Sequence, residues 1–147
     1  MAGRQADLIA VVDASTFVSA ALKANSVPEQ ALLRALDEPN RLILSQEVEG
    51  EYREVIFRLK FDHYVSVERR QHILDIVVFA ADRVEPHEAI RECRDPKDDK
   101  YLALAAAGKA DVIVSSDASH LLSMNPWRGI PVLSPRDFLA RADEVIE

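Results

Sequence analysis

Hydrophobic positions along this chain fall into two periods. Short runs rich in Val, Ile and Leu ("DLIAVVD", "RLILS", "DVIVSSD", "IPVLS") read as strands buried on both faces, with "RVEP" as a further short strand. Between them the apolar residues take helical spacing. One helix is predicted from about Ser15 to Lys23. The next is "SVPEQALLRAL", where Ser26 as N-cap, a proline in the first turn and Glu29 three residues on form a capping box. A third begins after Ser45, with Val48, Tyr52, Val55, Ile56 and Leu59 marking one apolar face. "SVERRQHILDIVVFAAD" is a fourth, and "RDPKDDKYLALA" opens a fifth that runs to "AAAGKAD", with Gly108 as its C-terminal stop. A short helix through "ASHLLSM" and a last one from "SPRDFLARADEV" complete the pattern. The order β-α-α-β-α-α-β-α-β-α-β-α predicts a three-layer α/β/α fold with a mostly parallel sheet of about five strands. Strands that run straight into helices place their carboxyl ends on one edge, where open α/β sheets bind ligands.

Composition narrows the picture. At 147 residues and 48% hydrophobic, the chain can bury one core, and without repeats or a flexible linker it reads as a single domain over residues 1–147. A net charge of -7 supplies no global attraction for nucleic acid or an anionic membrane, so a polyanionic partner would need a local basic stripe or bound cations. Cys93 is the only cysteine, which excludes an internal disulfide and a cysteine-only metal cluster. No apolar run approaches the ~18 residues of a membrane span, and the start "MAGRQADLIAVVDAS" lacks the character of an export signal. The expectation is a cytoplasmic protein with no membrane association.

The candidate chemistry is carried by acids at the predicted strand ends. Asp13 closes the first strand and Asp117 follows "DVIVSS". Asp95, Asp98 and Asp99 open the fifth helix at spacings of three and four, which would stack them on one face, and Glu47, Glu51 and Glu54 share a face of the third. Each has a plainer reading. Asp95 before Pro96 makes an N-cap, Asp13 and Asp117 can cap the helices that follow them, and Glu51 can be a solvated charge. Gathered on one edge, however, the carboxylates would repel one another and raise some of their pKa values. A hard divalent cation such as Mg²⁺ or Mn²⁺ takes oxygen ligands and removes that difficulty, with substrate phosphates completing its shell.

Together these segments resemble the PIN-domain family of metal-dependent ribonucleases, especially its bacterial members grouped as toxins of toxin–antitoxin pairs (VapC-like). The resemblance lies in "VVDASTFVSAAL", "SQEVEGEYREVIFRLKF", "CRDPKDDKYLALAAAGKADVIVSSD" and "GIPVLSPRDFLA", which occur in order and span nearly the whole chain. It implies a PIN-like, Rossmann-like fold and an acidic quartet of Asp13, Glu51, Asp99 and Asp117, with Asp13, Asp99 and Asp117 holding one or two Mg²⁺ or Mn²⁺ ions. Ser115 takes the place of the fourth motif's hydroxyl residue, Asp95 is the aspartate of the "RDP" element, and Asp98 becomes a helix-start or outer acid. Ser15 stands where the first motif usually has asparagine, which changes the hydrogen bonding expected around Asp13. The pattern after Asp117 often continues with another acid or a histidine, and here Ser119 and His120 follow. His63, His72 and His87 have no metal-binding spacing with one another or with Cys93.

The resemblance further implies hydrolysis of single-stranded RNA, a cognate antitoxin covering the acidic groove, and a homodimer. Between Arg53 and His72 five basic residues (Arg53, Arg58, Lys60, Arg69, Arg70) face three acids, with His63 and Tyr64 offering rings for base stacking. Arg53, Arg58, Lys60 and Arg69 are therefore candidate contacts to an RNA backbone. The competing reading is a catalytically silent PIN fold that binds RNA or protein. A receiver domain would need paired acids after the first strand, and a haloacid-dehalogenase-type phosphatase would need an aspartate where Ser15 stands.

Overall fold

A computed structural model describes residues 4–5 and 7–146. Five strands form a parallel sheet: β2 (Ile9–Val12), β3 (Arg41–Leu44), β4 (Asp82–Arg83), β5 (Val112–Val114) and β6 (Val132–Leu133), in the order β4-β3-β2-β5-β6. Two short strands outside the predicted set, β1 (Arg4–Gln5) and β7 (Val145–Ile146), pair antiparallel with each other. The helices are α1 (Ala14–Leu22), α2 (Val27–Leu36), α3 (Gln46–Ile56), α4 (Val67–Ala80), α5 (Asp99–Gly108) and α6 (Pro135–Ala142). This is the three-layer α/β/α arrangement expected from the alternation of periods. No helix among the described residues is long and apolar enough to cross a membrane.

β2 is central and buried almost throughout, as a strand flanked on both sides and covered on both faces must be. Its register, Ala10 against Leu42 and Val112, and Val12 against Val114, aligns the carboxyl ends of β2 and β5. From β2 the chain moves outward to β3 and β4, then returns to lay β5 and β6 on the opposite side. The topological switch point therefore lies between β2 and β5, the position at which such sheets open a ligand crevice.

Several local expectations are corrected. "RDPKDDKYLALA" is not one helix: Pro96–Asp98 form a 3-10 turn capped by Asp95, which accepts from the Lys97 amide, and α5 starts at Asp99. The three aspartates consequently leave the backbone in different directions. "ASHLLSM" is likewise reduced to a 3-10 turn, Leu121–Met124, and Leu59 is largely exposed in the turn beyond α3 instead of on its apolar face. Finally, Gly108 is the last residue of α5, and the left-handed cap is Lys109 at φ 50°. Glycine at 108 serves close packing: a Cβ there would press on the end of the Ile43 side chain, which would have to shift, where α5 crosses β3. The capping box at Ser26 is half made. Ser26 accepts from the Glu29 amide, while the Glu29 carboxylate turns to the Asn25 amide and to Arg69.

Candidate active site

The switch point is built around Asp13. Its amide donates to the Val114 carbonyl across the β2–β5 seam, so the residue is placed by the sheet itself. Its carboxylate caps α1: Oδ1 accepts from the Thr16 amide at 3.0 Å and from the Ser15 hydroxyl at 2.8 Å. Oδ2 accepts from the Ser115 hydroxyl at 2.5 Å. The side chain is buried, and that burial raises its pKa, opposed by the bonds from Ser115, Thr16 and Ser15. The carboxylate that caps α1 is therefore also the one placed at the switch point.

Ser115, fully buried at the end of β5, ties two acids together. While donating to Asp13 it accepts from the Asp117 amide at 3.1 Å. The Asp117 carboxylate accepts from the Ser119 amide and hydroxyl through Oδ1, and its Oδ2 meets His120 Nδ1 at 2.5 Å. The His120 contact is the main cause of the lowered Asp117 pKa, and reciprocally of the raised His120 pKa. Ser15 closes the ring on the other side by accepting from the Ser116 amide at 3.2 Å.

A second strand of hydrogen bonds brings in α3. Tyr101 on α5 accepts from the Ala14 amide at 3.0 Å and donates to Glu51 Oε1; Lys100 Nζ sits 3.2 Å from Glu51 Oε2. Burial and the neighbouring charges hold the Tyr101 hydroxyl protonated. Tyr52 stacks on Phe17 with ring centroids 4.3 Å apart and donates to the Val12 carbonyl, anchoring α3 against the residue before Asp13. Glu47 and Glu54, expected on the same face as Glu51, are exposed, and Glu54 pairs with Arg58.

The aspartates before α5 separate. Asp99 turns toward the preceding loop, accepting from the amides of Glu92 and Cys93 at 3.0 and 2.8 Å, and these bonds hold its pKa low against partial burial. Asp98 is half-buried. Burial, then Asp95, then Asp13 and Glu51 push its pKa up to about 6, with His120 opposing. Cys93 is pushed up to about 12, chiefly by burial and by Asp99, so its thiol stays protonated at neutral pH and is no nucleophile.

The sequence family described as "PIN domain" matches residues 10–119, about three quarters of the chain and all of the elements that carry these acids. The chain belongs to the PIN-domain family. PIN domains are in general nucleases, and they typically use divalent metal ions. The fold agrees: the crystal structure of PAE2754 from Pyrobaculum aerophilum superposes with a TM-score of 0.63 at 15% identity, covering 92% of this chain and 90% of that one. No curated protein matches the chain in sequence.

Within this PIN domain the structure links the Asp13 carboxylate, the Ser115 and Ser15 hydroxyls and the Asp117 and Ser116 amides in one hydrogen-bonded ring, and sets Glu51 beside it through Tyr101. Among the described residues no three of His, Cys, Asp and Glu stand close enough to close around one metal ion. Arg53 and Arg58 are exposed and paired with Glu49 and Glu54 of α3, Arg58 from just beyond the end of that helix, and Lys60 lies over the Phe61 ring. Arg69 is committed elsewhere. It donates to the Ala20 and Ala21 carbonyls and to Glu29, at 3.0, 2.9 and 2.5 Å, closing the C-terminal end of α1. Arg70 is buried and holds Asp62 and the Ile56 carbonyl. Sequence reading missed Tyr101 and Lys100. The available signal was a tyrosine at the start of an otherwise aliphatic helix, "YLALAAA".

Proposed function

We propose that this PIN domain is an endoribonuclease that hydrolyses single-stranded RNA with Mg²⁺ or Mn²⁺, working at the crevice between β2 and β5. The observation that carries the reading is the hydrogen-bonded ring in which Ser115 joins Asp13 to Asp117 at the switch point. The donor chemistry suits a hard cation held by one or two carboxylates, with water and substrate phosphates completing its shell: Asp13, Asp98, Asp117 and Glu51 offer only carboxylate oxygens, and the repulsion between Asp98 and its acidic neighbours is what a cation would relieve. In this reading Asp98 takes the part first given to Asp99, because Asp99 holds the 92–93 loop. When bound, the ion would make hydroxide available from water near neutral pH and offset charge on the reacting oxygens. The chain's own groups orient. Ser15, Thr16 and Ser115 fix both oxygens of Asp13, Tyr101 aims Glu51, and His120 holds Asp117. Arg53, Arg58 and Lys60 leave α3 beyond Glu51 and suit a strand's phosphates, with exposed Tyr64 offering a stacking face. Arg69 is withdrawn from that role by its contacts. The resemblance sets this activity as the toxin of a toxin–antitoxin pair in the cytoplasm, working as a homodimer, with the antitoxin covering the acids.

The test is cleavage of an unstructured RNA with Mn²⁺. The wild type cuts and a chelator stops it; Asp98→Asn, Asp13→Asn and Asp117→Asn lose about a hundredfold or more while remaining folded, whereas Asp99→Asn loses less. Asp98→Asn cutting at the wild-type rate would return the role to Asp99. Tight RNA binding without any cleavage would favour the silent binding module.

A further inference from the structure

Lys100 stands where local helix preference does not want a cation. It is the second residue of α5, in the first turn, where the helix dipole favours acids and opposes a positive charge. Its side chain is only 11% exposed. The ammonium is spent inside the protein: it donates to Glu51 Oε2 and to the Lys97 carbonyl, and lies 5.5 Å from the centre of the Tyr101 ring. Among the described residues only two cationic partners touch Asp13, Glu51, Asp98 or Asp117, and the other is His120 on Asp117. Of the other carboxylates of α3, Glu49 pairs with Arg53 and Arg83 and Glu54 with Arg58, while Glu47 is exposed to solvent.

We propose that Lys100 is the protein's built-in counter-ion for Glu51, which keeps the acidic crevice folded without metal and must release Glu51 before a divalent ion can engage it. The inference rests on the metal-dependent reading above. Physically the two states exclude each other. A carboxylate oxygen held by an ammonium has that lone pair occupied, and a divalent cation arriving within a few ångströms of Nζ is repelled by it. Lys100 therefore lowers metal affinity while stabilising the metal-free fold. Because Glu51 Oε1 remains held by Tyr101, only one oxygen has to change partner.

The experiment is a Mn²⁺ titration read by thermal unfolding and by calorimetry, with no RNA present. In Lys100→Met the metal-free protein melts lower and Mn²⁺ binds about three- to tenfold more tightly, the range expected for losing a partly screened competing pair. Lys100→Arg keeps the charge and stays near the wild type. Lys97→Met removes the same charge from an exposed neighbour, whose carbonyl and not ammonium meets Lys100, and shifts affinity less than about twofold. If wild type binds Mn²⁺ and Lys100→Met binds it equally or more weakly, or if Lys97→Met shifts it as much as Lys100→Met, the proposal is overturned while the metal-dependent reading stands. If no variant responds to Mn²⁺, both fall.

Discussion

Replacing Ser115 by alanine tests the junction on which the site depends. The hydroxyl is fully buried and makes two bonds: it donates to Asp13 Oδ2 at 2.5 Å and accepts from the Asp117 amide at 3.1 Å. A hydrogen bond to a charged group contributes roughly 1.5–3 kcal/mol, and a buried amide left without a partner costs about 1 kcal/mol. Ser115→Ala should therefore lose about 3 kcal/mol, which for a domain of this size lowers Tm by roughly 6–12 °C. The pH dependence carries a sign. Ser115 holds the Asp13 pKa down against burial, so its removal raises the folded-state value further. Stability lost in the variant is lost by the ionised carboxylate, so the deficit is full at about pH 8 and shrinks as acidification protonates Asp13. Circular-dichroism melts across that range provide the measurement. Ser116→Ala is the comparison, since its hydroxyl pairs only with Thr16 Oγ1 at the crevice rim, and it should cost about 0.5 kcal/mol. A Ser115→Ala protein melting within about a degree of wild type at pH 8, or a deficit that grows on acidification, would refute the account of the ring.

Two further outcomes follow from the same contacts. The Asp98 carboxyl titrates near 6 instead of 3.8, so the wild type loses stability as pH rises through that interval; Asp98→Asn abolishes the loss and melts higher at pH 7, by about 1 kcal/mol after discounting for its exposure, but not at pH 4. Its stability gain should accompany loss of cleavage, and a lower melt at pH 7 would contradict the crowding of acids around it. Arg69→Met should cost about 2 kcal/mol in a denaturant melt, because it strands the Ala20 and Ala21 carbonyls of α1 and the Glu29 carboxylate. If that variant is as stable as wild type but binds RNA more weakly, Arg69 is an RNA contact after all.

Much of the fold was legible because it depends on local pattern. The unbroken apolar runs at Ile9–Val12 and Val112–Val114 can only be strands covered on both faces, and Ser26, Ser45 and Ser134 announce helix starts that the backbone adopts. β1 and β7 were not legible, since two-residue pairings between the chain's ends carry no periodicity of their own. Asp13 and Asp117 were legible as acids that follow buried strands.

What the sequence by itself determined is therefore the alternation of the five sheet strands with the six α-helices, and the set of candidate acids. Which partners each acid takes was decided by tertiary structure alone. Asp98 and Asp99 are adjacent and chemically identical, yet one ends a 3-10 turn half-buried and the other opens α5 with its carboxylate on the Glu92 and Cys93 amides. Arg69 and Lys100 read as surface charges until packing brings the end of α1 to one and Glu51 to the other. Periodicity records burial along a single element, while the partner of a polar side chain depends on contacts some 50 residues apart, such as Lys100 with Glu51, that no local pattern encodes.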